Sequence, residues 1–186
     1  MSETSDLSAR LAATLRAIRR DLSWPLDRLA AEAGVSRATL ARIEAGQVSP
    51  TAETLNRICS AFGLTLSQLL ADVERPTEAY VPAADQVVWV DPASGFRRRV
   101  ISPPAEGFGI EMIEGRLPAG AEIAYDRPPV PGQEHHLHLL EGALEVTVEG
   151  AEHSLAPGDT LRWRLHGASR FRAPGPEDAR YLLALA

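Results

Sequence analysis

The segment Leu26 to Gly46, LDRLAAEAGVSRATLARIEAG, allows few folds. Leu29 and Ala33 share one face of a short helix from Asp27 to Ala33, and Leu40 and Ile43 share one face of a second. Gly34 ends the first helix, because glycine takes the left-handed conformation without a Cβ clash. Ser36 is placed to cap the second, from Arg37 to about Ala45, by accepting a bond from a free N–H of its first turn. Gly46 closes it. Arg37, Ala38, Ala41 and Arg42 stay on the outward face. Apolar residues inside a tight bend, with free residues at the start of the second helix, are what a helix-turn-helix requires.

Helical spacing continues on both sides. Leu7, Leu11, Leu15, Ile18 and Leu22 predict an amphipathic helix over about Asp6 to Asp21. Arg16, Arg19 and Arg20 lie at its C-terminal end, where they suit either the helix dipole or a DNA phosphate. Trp24-Pro25 breaks the helix. Thr51 then caps a helix from Ala52 to Phe62, with Leu55, Ile58, Cys59 and Phe62 on its buried stripe. Cys59, the single cysteine, reads as a small core residue. Thr65-Leu66-Ser67-Gln68 has the capping-box pattern and opens a fifth helix ending near Ala71.

Residues 72–86 carry no sustained period and read as a linker between a domain at 1–71 and one at 87–186. After residue 72 come 12 of the 14 prolines and 11 of the 14 glycines. Short apolar runs alternate there with turns: Val87–Val90, Arg97–Ile101, Gly109–Leu117, His135–Leu140, Leu144–Val148, Leu161–Leu165, Ser169–Phe171 and Tyr181–Leu185. Such spacing predicts an antiparallel sandwich or barrel. Strand alternation turns Leu144, Val146, Val148, Leu161, Trp163 and Leu165 inward.

Leu29-Ala30, Gly34-Val35-Ser36, Leu40 to Gly46 and Ser49-Pro50-Thr51 together resemble the helix-turn-helix of the phage-repressor-like (XRE) family, over about Leu11 to Leu70. The resemblance implies a five-helix, lambda-repressor-like DNA-binding domain. Its base-contacting positions fall on Arg37, Ala38 and Arg42 and its phosphate contacts on Thr39 and Gln47; with Ser36 at the cap these form the expected DNA-binding set. Glu44, in the last turn, is expected to pair locally. Where the family has a small hydroxyl cap, Pro25 stands and donates no N–H.

Leu117-Pro118-Ala119-Gly120, the stretch Glu134 to Gly150, and Leu155-Ala156-Pro157-Gly158-Asp159 are similar to the cupin family, a double-stranded β-helix or jelly roll. An α+β chain with these two domains resembles bacterial one-component regulators. His136-x-His138 with Glu141 looks like a cupin metal set, but alignment on Leu140-Glu141-Gly142 puts Glu141 in a turn. The family's H-x-H then falls near Pro128 to Val130, its metal Glu at His135 and its last His at Ser169. One family position of four keeps a donor, and a transition metal needs three or four. The expectation is therefore no metal and no cofactor. The same alignment turns His135, Leu137, Trp163, Ser169 and Phe171 into a pocket for an unidentified small-molecule effector. It leaves His136 and His138 on the surface or at a dimer interface, and shows no inward carboxylate beside His135. A cupin filled with side chains, serving only to dimerise, and a cupin enzyme are the alternatives.

The net charge of −6 bears on the partners. Residues 1–72 hold eight Arg against eight acids, and residues 73–186 hold eleven against seventeen. Phosphate neutralisation is thus modest, and one such module binds DNA weakly. The expected form is a homodimer on double-stranded DNA, reading a pseudo-palindrome with half-sites about 34–36 Å apart. No apolar run reaches the roughly 20 residues of a membrane span, and no signal-peptide pattern precedes the first helix. The expected location is the cytoplasm, without a membrane partner.

Overall fold

The structure is a computed structural model that describes residues 3–71, 80–105 and 108–186, with backbone only for 3–8 and 71. Most of the expected linker, residues 72–79, lies outside the described residues.

Among the described residues five helices come first: α1 (Glu3–Asp21), α2 (Leu26–Ala33), α3 (Arg37–Glu44), α4 (Ala52–Phe62) and α5 (Leu66–Ala71). Their boundaries follow local chemistry. Gly34 (φ 65°) and Gly63 (φ 70°) end α2 and α4 in the left-handed region. Ser36 accepts from the Thr39 N–H and Thr51 from the Thr54 N–H. The Thr65–Gln68 box forms in full: the Thr65 N–H donates to Gln68 Oε1 at 2.7 Å, and the Gln68 N–H donates to Thr65 Oγ1 at 3.0 Å. Leu11, Leu15, Leu29, Leu40, Leu55, Ile58 and Leu69 meet in the core. Leu22, expected on the apolar stripe of α1, lies past the helix end and is 45% exposed. Among the described residues no helix is long and apolar enough to cross a membrane.

Ten strands follow among the described residues: β1 (Val88–Val90), β2 (Arg97–Ser102), β3 (Glu111–Leu117), β4 (Glu122–Tyr125), β5 (Gln133–Glu141), β6 (Leu144–Val148), β7 (Ala151–Leu155), β8 (Thr160–Leu165), β9 (Ser169–Arg172) and β10 (Ala179–Leu185). They form a six-stranded sheet, β1-β2-β3-β10-β5-β8, and a four-stranded sheet, β4-β9-β6-β7. Two facing antiparallel sheets of this order make a double-stranded β-helix. Sequence periodicity does not reveal β4 and β7. In β4 only Ile123 is buried; β7 is an edge strand with only Leu155 buried, so neither carries an alternating apolar signal. Glu141, expected in a turn, is the last residue of β5, and its carboxylate pairs outside the barrel with Arg180 at 2.6 Å.

Alternation sets the inner face of the large sheet: Val100, Ile113, Leu117, Leu137, Leu139 and Leu183 are buried there. The Tyr181 ring lies over Gly115, where a Cβ would come within 2.3 Å of it. That ring then stacks between Phe96 and Phe171, with centroids at 6.4 and 6.2 Å. Gly115→Ala should therefore destabilise the fold by about 1–3 kcal/mol through overpacking. Urea unfolding measures it, and an unchanged midpoint would show that the Tyr181 ring is free to move aside.

Candidate nucleic-acid interface and barrel interior

The N-terminal half of α3 is laid out toward solvent. Ser36, Arg37, Ala38, Thr39, Arg42 and Gln47 are all exposed, while Leu40 and Ile43 on the opposite face are buried. Ser36 Oγ, 3.0 Å from the Thr39 N and 2.8 Å from Thr39 Oγ1, fixes the first turn. Gln47 is tied by its N–H to the Arg42 carbonyl at 2.9 Å, which leaves its side chain outward. Arg37 pairs with Asp27 at 2.9 Å, but the two side chains are 65% and 75% exposed. Such a pair is worth little in water and yields readily to another partner. Pro25 stands at the N-cap of α2 without a side-chain cap bond.

The other end of α3 is fastened from behind. Glu44 is buried, and both carboxylate oxygens accept from Arg19 of α1, at 2.7 and 2.8 Å. This hydrogen bonding, above all, raises the Arg19 pKa. Arg16 donates to the Glu44 carbonyl. Glu44 thus pairs across the bundle instead of locally. Arg16 and Arg19 orient α3, and of the three arginines at the end of α1 only Arg20 is exposed.

Inside the barrel, three expected residues come together. The His135 ring lies 4.9 Å from the Trp163 ring, and Trp163 lies 6.4 Å from Phe171. Leu137 is fully buried on the same face of β5 as His135. With Tyr181 and Phe96 the rings form one continuous row. Ser169 is buried, yet its hydroxyl does not bond His135: both imidazole nitrogens are buried without a partner. Ser169 instead lines a groove of about 310 Å³ between the domains, with Glu53 of α4, Tyr125 and Arg170. Burial, with a smaller push from the Arg98 charge, lowers the His135 pKa to about 4. His136 is exposed, and His138 Nδ1 sits 2.9 Å from Thr160 Oγ1. No three His, Cys, Asp or Glu side chains converge among the described residues.

The large sheet also carries an inward carboxylate that was not expected. Glu111 and His135 flank Leu185 in one cross-strand row, and Glu111 is buried. Alternation back from Leu117 and Ile113 was the signal for it, as Val100 was for Arg98 two residues earlier. Both lie under α5. Thr65 Oγ1 donates to Glu111 at 3.1 Å, and Arg98 Nη2 donates to Ser67 Oγ at 2.7 Å. Burial raises the Glu111 pKa, and the nearby hydroxyls and Arg98 oppose that shift. Further along the seam, the Ala52 N–H donates to Asp91 at 2.9 Å, Asn56 Nδ2 donates to the Arg127 carbonyl at 2.8 Å, and Arg57 pairs with Asp126 at 2.9 Å. Cys59 is a buried core thiol, its pKa pushed up to about 12 by desolvation.

Comparison with known proteins decides the family. The HTH_3 helix-turn-helix family matches residues 15–69. The HTH-type transcriptional regulator DdrOP3 of Deinococcus deserti is 32% identical over 89 residues, 46% of this chain and 69% of that protein. The chain belongs to the HTH_3 (XRE) family of helix-turn-helix transcriptional regulators. The HTH-type transcriptional regulator SutR of Escherichia coli is 25% identical over 176 residues, 95% of this chain and 94% of that protein. The crystal structure of an HTH_3 family regulator from Vibrio cholerae matches the fold with a TM-score of 0.80 at 24% identity, covering 97% of this chain and 98% of that one. The helical bundle is accordingly the DNA-binding domain, and the strands behind it form a double-stranded β-helix, the fold expected from the cupin resemblance.

The buried histidine gives a pH dependence with a definite sign. Its folded pKa of about 4 lies below the ordinary 6.5, so between those values the unfolded chain binds a proton that the folded protein refuses. Stability is lost as pH falls through this window, by about 3 kcal/mol for this group. Urea unfolding at pH 7 and pH 4 should show a smaller difference for His135→Gln than for the unaltered chain; equal differences would place His135 in water.

Proposed function

We propose that this regulator binds a pseudo-palindromic operator as a homodimer and that its cupin domain senses a small molecule. The exposed row Ser36, Arg37, Ala38, Thr39, Arg42 and Gln47 carries the DNA-binding half of the reading. Arg37 and Arg42 are suited to bidentate bonds with guanine O6 and N7, and Ala38 to a thymine methyl. Thr39 and Gln47 meet phosphates. Arg37 exchanges its Asp27 partner for a base at small cost, since that pair is solvated.

Dimerisation falls to the outer face of the six-stranded sheet. Half-buried Met112, Leu182 and Ala184 lie there, bordered by His136, His138 and the ion pairs of Glu114 with Arg99 and Arg180. A two-fold pairing of this face gives each dimer two α3 helices and doubles the DNA interface.

Sensing is supported by unpartnered polar atoms in the barrel. Both nitrogens of His135, Trp163 Nε1 and Arg98 Nε are buried without a hydrogen-bond partner. Native interiors leave few such groups without water or a guest. The stacked rings favour the other reading, a cupin that only dimerises, because they fill much of the interior. A ligand controls DNA binding only through unequal affinity for two arrangements of the bundle, and the seam under α5 provides a place for that difference.

Two measurements test the DNA and dimer claims. Arg42→Ala should weaken operator binding by about 1–3 kcal/mol while leaving random-sequence DNA nearly unchanged. Equal loss on both sequences would make Arg42 a phosphate contact. Size-exclusion chromatography with light scattering should give twice the 20.1 kDa chain mass, and a monomer would overturn the dimer.

A further inference from the structure

Arg98 is the least satisfied charge in the described interior. It is 8% exposed, makes no ion pair among the described residues, and spends one hydrogen bond, from Nη2 to Ser67 Oγ at 2.7 Å. Its Nε is buried with no acceptor. Nε and Nη2 form the side-on edge of the guanidinium, the two-donor fork that fits a carboxylate. Glu111 supports this charge from a distance without closing an ion pair, so the Nε–Nη2 edge keeps a buried donor to offer an anion.

The surroundings define the rest of the guest. Trp163 Nε1 is a further unpartnered donor, and His135, neutral in this setting, offers one more N–H. The interior is therefore rich in donors. Glu111, the buried carboxylate on the inner face of the large sheet, is engaged by Thr65 and lies beside Ser67 and Arg98. Between the donors run the faces of Tyr181, Phe171 and Trp163, which suit a flat apolar body. Tyr125 lines the 310 Å³ groove between the domains, meets Phe171 edge-on at 6.3 Å, and lies within the electrostatic reach of Arg98.

We propose that Arg98 receives the carboxylate of a small, flat organic acid on its Nε–Nη2 edge, and that this carboxylate takes the place of Ser67. The proposal rests on the barrel being a sensor and names both its ligand class and its output. Ser67 belongs to α5 of the DNA-binding bundle, so the ligand and the bundle compete for one guanidinium. Binding releases one of the bonds that hold α5 against the large sheet. Thr65–Glu111 remains beside it as a hinge point.

The test uses the full chain and three matched probes: benzoate, its neutral amide benzamide, and the cation benzylamine, at equal millimolar concentration and ionic strength. Benzoate should raise the thermal midpoint by roughly 2–4 °C, and the other two should not. Arg98→Met should abolish the benzoate shift. Ser67→Ala should raise the apparent benzoate affinity roughly tenfold, because no hydroxyl bond to the guanidinium has to be broken. That arm stands even where Arg98→Met fails to fold. Stabilisation by benzamide or benzylamine alone would overturn the acid assignment and leave the sensor standing. No stabilisation by any probe would count against both. A benzoate shift that survives Arg98→Met, or an affinity unchanged or lowered in Ser67→Ala, would overturn the competition.

Discussion

A guanidinium taken out of water has to be met by acceptors, and in this protein the place where that happens is the seam between two domains. Arg98 rises from the inner face of the six-stranded sheet and donates to Ser67 on α5. Beside it Glu111 accepts from Thr65, and farther along Asp91 accepts from the first N–H of α4. Each of these bonds joins a strand-side group to the helical bundle. With partners on both sides buried, the bundle cannot lift away without leaving polar groups unpaired, at roughly 1–3 kcal/mol for each group left bare. The relation of bundle to barrel is thus held by specific bonds, and the DNA-binding face inherits its position from them.

That face is built by a division of labour within α3. Its buried Leu40 and Ile43 lock it to the bundle, and Arg19 and Arg16 grip its last turn through Glu44. Its first turn is fixed by Ser36 and otherwise unencumbered. Rigidity is concentrated at the packed end of α3, and exposure at the end proposed to meet the bases. The near-neutral charge of the bundle fits this plan: it weakens unspecific attachment to phosphates, so discrimination depends more on base contacts.

Much of this was legible in the sequence because it is written in local rules. The glycines at 34 and 63, the caps at Ser36 and Thr51 and the capping box at Thr65 each act within one helical turn, and the helices lie where those signals put them. Strand alternation put His135, Leu137 and Leu139 on one face, and the cupin resemblance turned that face inward. Less legible were features that depend on partners distant in the chain. Ser67 sits 31 residues from Arg98, and Thr65 sits 46 from Glu111; alternation could turn those two charges inward but could not say that a helix waited above them. Glu44 likewise looked like a local partner until α1 was packed behind it. Strands β4 and β7 escaped because edges with one buried residue have no period to read.

The central claim is that bundle and barrel form one unit with a continuous buried core and a bonded seam. Scanning calorimetry of the full chain at low protein occupancy of DNA and ligand tests it most directly. The account predicts a single transition whose calorimetric and van't Hoff enthalpies agree. Two separate transitions, one for the helices and one for the strands, would contradict it, because a bundle that melts alone has no hold on the barrel through Arg98.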